Sequence, residues 1–156
     1  IHLIERNEGI SVSGLLNKLK ITKQSLNRVL KELIKSKAIF MKPGKLDSRQ
    51  RLIYLNKNGK KLSDEIFSEQ LRSKANERDI LIVLSGSGNS PNIIRALETA
   101  NSLSMNTIAI LGYTGGACLA AAQEVIHFPI NDMQISEDLQ LIVGHMCMQW
   151  LAENGK

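Results

Sequence analysis

The sequence predicts two modules of different class, an α+β module followed by part of a parallel α/β sheet. Three observations carry that expectation. Charge is divided by position: residues 1–75 hold 12 Lys and 5 Arg against 7 acids, a net +10, while residues 76–156 hold 3 cations against 8 acids, a net −5. In the basic half, two helical periodicities precede a pair of strand-like runs. In the acidic half, an apolar run leads through a loop of Gly and Ser into another helical pattern. Across all 156 residues the apolar share of 43% and the charged share of 22% are those of a globular protein. Disorder, collagen-like repeats and a disulfide scaffold are excluded. Aromatic residues make up 4%, so the cores must be built from Leu, Ile, Val, Met and Ala.

Ser11 is placed to cap a short helix whose apolar positions are Val12, Leu15, Leu16 and Leu19. A tight break at Lys20–Ile21 follows, and Thr22 offers a second N-cap. Leu26, Val29, Leu30, Leu33 and Ile34 then recur at helical spacing, so one face of the second helix is expected to be buried. The other face presents Lys23, Gln24, Ser25, Asn27, Arg28 and Lys31, with Glu32 as its one acid. Gln, Asn and Arg can read base edges bidentately, and Lys and Ser can hold phosphates. A solvated lysine-rich face is the competing reading.

Ala38–Met41 and Arg51–Leu55 are the strand-like runs, and Lys42-Pro43-Gly44-Lys45-Leu46-Asp47-Ser48-Arg49-Gln50 joins them as a long cationic turn. Two helices in a tight turn followed by a basic hairpin describe a winged helix-turn-helix. Its wing, with Arg49 and Arg51, would reach phosphates or an adjacent minor groove of double-stranded DNA. The run Ile21–Leu30, the Asp47-x-Arg49-x-Arg51 pattern and Leu55-Asn56-Lys57-Asn58-Gly59 resemble the MarR family of bacterial transcription regulators over about residues 1–66. The resemblance implies that Arg49 enters the minor groove and that Asp47 fixes the wing by pairing with a basic side chain. Proteins of that family dimerise through helices on both sides of the winged core. Here the chain opens at Ile1, inside a helical pattern and without an initiator Met, which reads as a missing upstream segment.

The expected division is residues 1–65 and 66–156, yet no Pro/Gly/Ser linker marks it. Leu62-Ser63-Asp64-Glu65-Ile66 continues one helical pattern into Phe67-Ser68-Glu69-Gln70-Leu71.

In the acidic half, Asp79–Leu84 suits a buried parallel strand. It ends in Ser85-Gly86-Ser87-Gly88-Asn89-Ser90-Pro91, a helical pattern follows through Ile93, Ile94, Leu97 and Ala100, and Thr107–Leu111 completes a βαβ unit. Val125–Pro129 reads as a third strand. Ser90 as N-cap with Pro91 at the first helical position is a strong helix start. Backbone N–H groups there, joined by the hydroxyls of Ser85, Ser87 and Ser90, form an anion cradle suited to a phosphate monoester. A plain strand-to-helix turn is the competing reading. Pro91 stands where a dinucleotide fingerprint wants its third Gly, and no Gly-Lys-Ser/Thr exists for a P-loop, so nucleotide readings fail.

The loop, with Gly112-Tyr113-Thr114-Gly115-Gly116 after the next strand and Glu137-Asp138-Leu139-Gln140 followed by His145, resembles the sugar isomerase (SIS) domain and its phosphoheptose isomerase branch. The resemblance implies a Rossmann-like αβα sheet and phosphate binding by Ser85, Ser87, Asn89 and Ser90. It also implies His145 as the catalytic acid/base and Glu137 at the position of a divalent metal ligand, zinc if the isomerase reading holds. Gln140 stands where His is frequent. The resemblance covers the latter three of about five strands, from about Ile66 to Trp150.

Cys118 and Cys147 form no metal-spaced pattern and read as two buried, reduced thiols of a cytoplasmic protein. With Glu5, Arg6 and Glu8 within Ile1–Gly9, no signal peptide is expected. The uncharged stretch Thr99–Gln123 is broken by Asn101, Asn106, Gly112, Gly115 and Gly116, so no membrane span is expected. Two functions follow. The first is a DNA-binding transcriptional regulator whose second module senses a sugar phosphate. The alternative is an aldose–ketose isomerase of a seven-carbon (sedoheptulose 7-phosphate type) sugar phosphate. A homo-oligomer is expected, because three strands leave a bare edge.

Overall fold

A computed structural model of the chain describes residues 1–45 and 47–155; Leu46, at the tip of the expected hairpin, and the terminal Lys156 lie outside the described residues. The chain forms two compact units, the first Ile1–Asp64 and the second from Glu65 onward.

The first unit begins with α1 (His2–Arg6) and β1 (Ile10–Ser11), followed by α2 (Val12–Leu19) and α3 (Lys23–Lys35). The two expected caps are in place. Ser11 Oγ accepts the Gly14 N–H at 3.0 Å, and Thr22 Oγ1 accepts the Ser25 N–H at 3.2 Å. Lys20, at φ 51°, stops α2 in the left-handed region. The hairpin is β2 (Ile39–Pro43) and β3 (Arg51–Leu55), paired antiparallel from Ile39↔Leu55 to Pro43↔Arg51. β1 adds to the far side of β3 through Ile10↔Ile53, giving the order β1-β3-β2.

The core of this unit joins Ile4, Leu15, Leu26, Leu30, Ile39, Ile53 and Leu55. Val29 and Ile34, expected inside, are 51% and 46% exposed. At about 100° per residue they lie about 60° and 80° to either side of Leu26. The small sheet and short helices cover only the central stripe of Leu26, Leu30 and Leu33. Leu26→Ala should therefore destabilise the unit by about 2–5 kcal/mol, and Val29→Ala by no more than about 0.5 kcal/mol; thermal denaturation followed by circular dichroism distinguishes the two.

The unbroken periodicity around Ser63–Phe67 is one helix, α4 (Lys57–Lys74), and the unit boundary falls within it. The second unit continues with β4 (Ile80–Ser85), α5 (Pro91–Ser102), β5 (Asn106–Leu111), α6 (Cys118–Ala121), β6 (Glu124–His127) and α7 (Met133–Asn154). The three strands are parallel in the order β4-β5-β6, with Ile82↔Ile108 and Ile108↔Glu124 in register. The third strand thus runs earlier than the expected Val125–Pro129.

One face of this sheet packs on α5 and α6 through Val83, Leu97, Ala109, Leu111 and Cys118. β4 is not the fully buried strand its composition suggested. Its alternate residues Ile80, Ile82 and Leu84 are 59%, 58% and 51% exposed, because β4 is an edge strand covered on one face. The thiols differ too: Cys118 is buried, and burial pushes its pKa up, whereas Cys147 is exposed on α7. No helix among the described residues is long and apolar enough to cross a membrane.

Candidate functional site

The parallel strands β4 and β5 end at Ser85 and Leu111, and the loops that follow them, residues 86–90 and 112–117, lie against each other. Gly88 has φ +65°, and a Cβ added there would stand 1.9 Å from the Gly115 carbonyl oxygen. Only Gly lets the two backbones approach so closely. The approach is closed by hydrogen bonds: the Cys118 N–H donates to the Gly88 carbonyl at 3.0 Å, and the Ala117 N–H donates to Asn89 Oδ1 at 3.0 Å. Within the first loop, Ser85 Oγ accepts the Gly88 N–H at 3.1 Å and Ser87 Oγ accepts the Asn89 N–H at 3.3 Å.

The four expected phosphate ligands therefore divide by environment. Ser85 is buried, 6% exposed, and its hydroxyl is engaged by its own loop. Asn89 ties one loop to the other. Ser87 and Ser90 are half-buried. Ser90 precedes Pro91 in the N-cap position, but its hydroxyl makes no capping hydrogen bond, which leaves it available to a ligand. The N–H groups of Ser87, Ser90 and Asn92 donate to no protein acceptor among the described residues. These donors gather at the positive end of the α5 dipole. Residues 85–91 and 112–117 include no Lys or Arg, so an anion here would be held by N–H groups, hydroxyls and the dipole.

The structure adds residues that sequence reasoning missed. His127, at the end of β6, has its Nε2 2.9 Å from the Tyr113 carbonyl oxygen, and the Tyr113 N–H donates to the Ile130 carbonyl at 3.1 Å. These contacts fix the second loop, where Tyr113 has φ 45°. The first turn of α7 closes the floor. Asp132 caps it by accepting the Ile135 N–H at 3.0 Å, and buried Ser136 donates to the Asp132 carbonyl at 2.7 Å. Added Cβ atoms at Gly86 and Gly112 would meet Met133 Sδ at 2.5 Å and Ser136 Oγ at 2.4 Å. The glycines at both strand ends were the available signal for this packing.

Glu137 and His145 are both exposed on α7. They stand eight residues, about 12 Å, apart along the helix. Gln140 is buried, and its Nε2 donates to the Ile110 carbonyl at 3.2 Å, so it fastens α7 to the sheet. No group of three His, Cys, Asp or Glu that could hold a metal ion occurs among the described residues.

In the first unit, Lys23, Gln24, Ser25, Asn27, Arg28 and Lys31 are all exposed on α3. Asp47 Oδ1 accepts both the Arg49 N–H at 3.0 Å and the Arg49 Nε–H at 3.3 Å. The basic partner of Asp47 is thus Arg49 itself, whose side chain remains 92% exposed. Arg51 is also exposed, at the start of β3.

Phosphoheptose isomerases from Chlorobaculum parvum and Shewanella denitrificans are 33% identical over 87 residues and 40% identical over 85. These alignments cover 55% and 53% of this chain but 42% and 43% of those proteins, so the chain spans less than half the length of these curated relatives. Solved phosphoheptose isomerases from Neisseria gonorrhoeae and Francisella tularensis superpose with a TM-score of 0.50 at 33% and 36% identity, over 54% of this chain and 49% and 48% of theirs. A SlyA-like transcription regulator from Listeria monocytogenes superposes over 44% of the chain and 45% of its own with a TM-score of 0.40 and 29% identity, too loose a likeness to bear on what the first unit does. A family model described as the SIS domain matches residues 22–112, a span that reaches back into the first unit and ends with β4, the glycine turn, α5 and β5. With more than half of its residues matched and a parallel sheet whose strand ends meet in paired glycine loops, the chain belongs to the SIS domain family.

Proposed function

We propose that the second unit binds a sugar phosphate at the β4–α5 turn, with isomerase-type chemistry of the phosphoheptose isomerase kind. One observation carries this reading: three uncommitted N–H groups and the Ser87 and Ser90 hydroxyls belong to the turn that starts a helix, on a loop locked by Gly88 and Asn89. Ser87 and Ser90 contact the phosphate; Ser85 and Asn89 shape the loop around it. Interconversion of an aldose and a ketose moves a proton between neighbouring carbons, and His145 is the side chain proposed to carry it. A seven-carbon sugar phosphate is the substrate class that the relatives' name suggests.

Calorimetric titration with sedoheptulose 7-phosphate tests the reading. Binding should weaken at least about tenfold for each hydroxyl removed in Ser87→Ala and Ser90→Ala, the usual effect of losing a hydrogen bond to a charged group. His145→Ala should retain binding and lose turnover. No binding by the unsubstituted chain would overturn the proposal.

A second reading concerns the first unit, which we propose binds double-stranded DNA, making the chain a sugar-phosphate-responsive regulator. Its motivation is the exposed cationic and amide face of α3 together with the exposed Arg49. Arg49→Ala should weaken a mobility shift on duplex DNA at low salt; an absent shift, or one unchanged by the substitution, contradicts it.

A further inference from the structure

β6 ends beside the last residue of β5, with Leu111 and His127 in register and the Phe128 N–H donating to the Leu111 carbonyl at 2.9 Å. That register brings the half-buried His127 side chain to the loop that follows β5. Its Nε2 lies 2.9 Å from the Tyr113 carbonyl oxygen. A carbonyl only accepts, so Nε2 carries the proton and donates it.

The carbonyl that His127 holds belongs to the middle peptide of a tight turn. Gly112-Tyr113-Thr114-Gly115 is closed by the Gly115 N–H, which donates to the Gly112 carbonyl at 2.8 Å. Tyr113, the first of the two central residues, has φ 45°, whereas Thr114 is not in the left-handed region. A turn with positive φ at the first central position favours Gly there, and a residue with a side chain keeps that conformation only where its surroundings over-determine it. Here both peptides flanking Tyr113 are pinned. The one before it donates its N–H to the Ile130 carbonyl at 3.1 Å, and the one after it is held by His127. Without that imidazole, the Tyr113–Thr114 peptide is free to rotate and relieve the strain.

Only Thr114 separates this peptide from the contacts with the β4–α5 turn. Gly115 presents its carbonyl oxygen to Gly88 so closely that a Cβ there would stand 1.9 Å away, and a Cβ on Gly116 would stand 2.6 Å from Asn89 Oδ1. The Ala117 N–H donates to Asn89 Oδ1 at 3.0 Å. Rotation at Tyr113–Thr114 therefore shifts residues 115–117, and with them the loop that carries Ser87 and Ser90.

We propose that His127 is a positioning residue of the sugar-phosphate site, keeping a turn that ordinarily wants Gly in the form that shapes the cradle. The inference rests on the sugar-phosphate reading of the β4–α5 turn. His127 acts through Tyr113 and does not itself touch the ligand.

Calorimetric titration with sedoheptulose 7-phosphate tests it. His127→Leu should weaken binding about tenfold, within the range by which a side chain disfavours a left-handed position, with an unchanged circular dichroism spectrum. His127→Gln, whose amide nitrogen can stand where Nε2 does, should bind within about threefold of the unsubstituted chain. In a Tyr113→Gly background, where positive φ carries no strain, His127→Leu should cost less than about twofold, a coupling that a direct contact with the ligand would not show. No binding by the unsubstituted chain overturns the sugar-phosphate reading and this inference with it. Binding that His127→Leu leaves within about twofold overturns the inference alone, as does an equal cost of His127→Leu with Tyr113 or Gly at position 113. Should His127→Leu fail to fold, His127→Asn, whose amide is too short to reach, takes its place: the inference then requires that it bind more weakly than His127→Gln, and equal binding overturns it.

Discussion

Gly88→Ala is expected to destabilise the second unit by about 2–6 kcal/mol and to remove sugar-phosphate binding with it. The magnitude has two sources. A non-glycine residue at φ +65° costs roughly 1–3 kcal/mol, and forcing an atom into a filled space costs roughly 1–3 kcal/mol more. Here the obstruction is backbone, the Gly115 carbonyl oxygen at 1.9 Å from the new Cβ, so no side chain can rotate away. Relief requires the two loops to separate, which breaks the Cys118-to-Gly88 and Ala117-to-Asn89 hydrogen bonds and disperses the N–H groups of Ser87, Ser90 and Asn92. Against a typical stability of about 5–15 kcal/mol, the loss is large. Gly144→Ala on α7 is the control of opposite sign. Nothing lies within 4 Å of a Cβ there, and Ala in a helix interior is favoured over Gly by about 1 kcal/mol. Denaturant melts of the two variants should move in opposite directions.

The same reasoning singles out Gly59 in the first unit. A Cβ at Gly59 would stand 2.1 Å from the Ala38 carbonyl oxygen and 3.0 Å from its carbon. This is where the first turn of α4 seats against the chain entering β2. Asn56 organises the junction: its N–H donates to the Ala38 carbonyl at 3.1 Å, its Oδ1 accepts the Gly59 N–H at 3.0 Å, and its Nδ2 donates to the Lys37 carbonyl. Gly59→Ala should displace α4 from the hairpin and cost about 3 kcal/mol, toward the upper end for overpacking. Asn56→Ala, which removes a cap-like side chain, should cost about 1 kcal/mol. The ranking of the two melting temperatures checks the account, and equal or reversed shifts would contradict it.

What the sequence made legible was local. Ser11 and Thr22 announce the starts of α2 and α3 because a cap and its helix are neighbours in the chain. The hairpin follows from two β-prone runs around a Pro-Gly turn, and the β4–turn–α5 unit from an apolar run ending in Gly, Ser and Pro. What escaped depends on partners distant in sequence. β1 exists only because Ile10 meets Ile53; two residues alone signal no strand. The composition of β4 is the same whether its outer face is covered or bare, so the exposure of Ile80, Ile82 and Leu84 could not be read. Val29 and Ile34 satisfy the helical period yet flank a core too narrow to reach them.

The site shows the same division. The proposed cradle residues Ser87 and Ser90 are suggested by the loop itself. The burial of Ser85, the tether made by Asn89 and the contact of Gly88 with Gly115 required knowing that two loops far apart in the chain lie together. His127 and Ser136 were invisible for that reason. Gln140 occupies a position where the resemblance favoured His, and its hydrogen bond to the Ile110 carbonyl shows a structural use for it.

The central claim, that the β4–α5 turn is an anion site built from backbone N–H groups, is tested most directly by amide chemical shifts during titration with sedoheptulose 7-phosphate. The account predicts saturable shifts that are largest at Ser87, Ser90 and Asn92 and that are abolished in Gly88→Ala. Saturable shifts confined to the lysine-rich first unit, with those three amides unmoved, would contradict it.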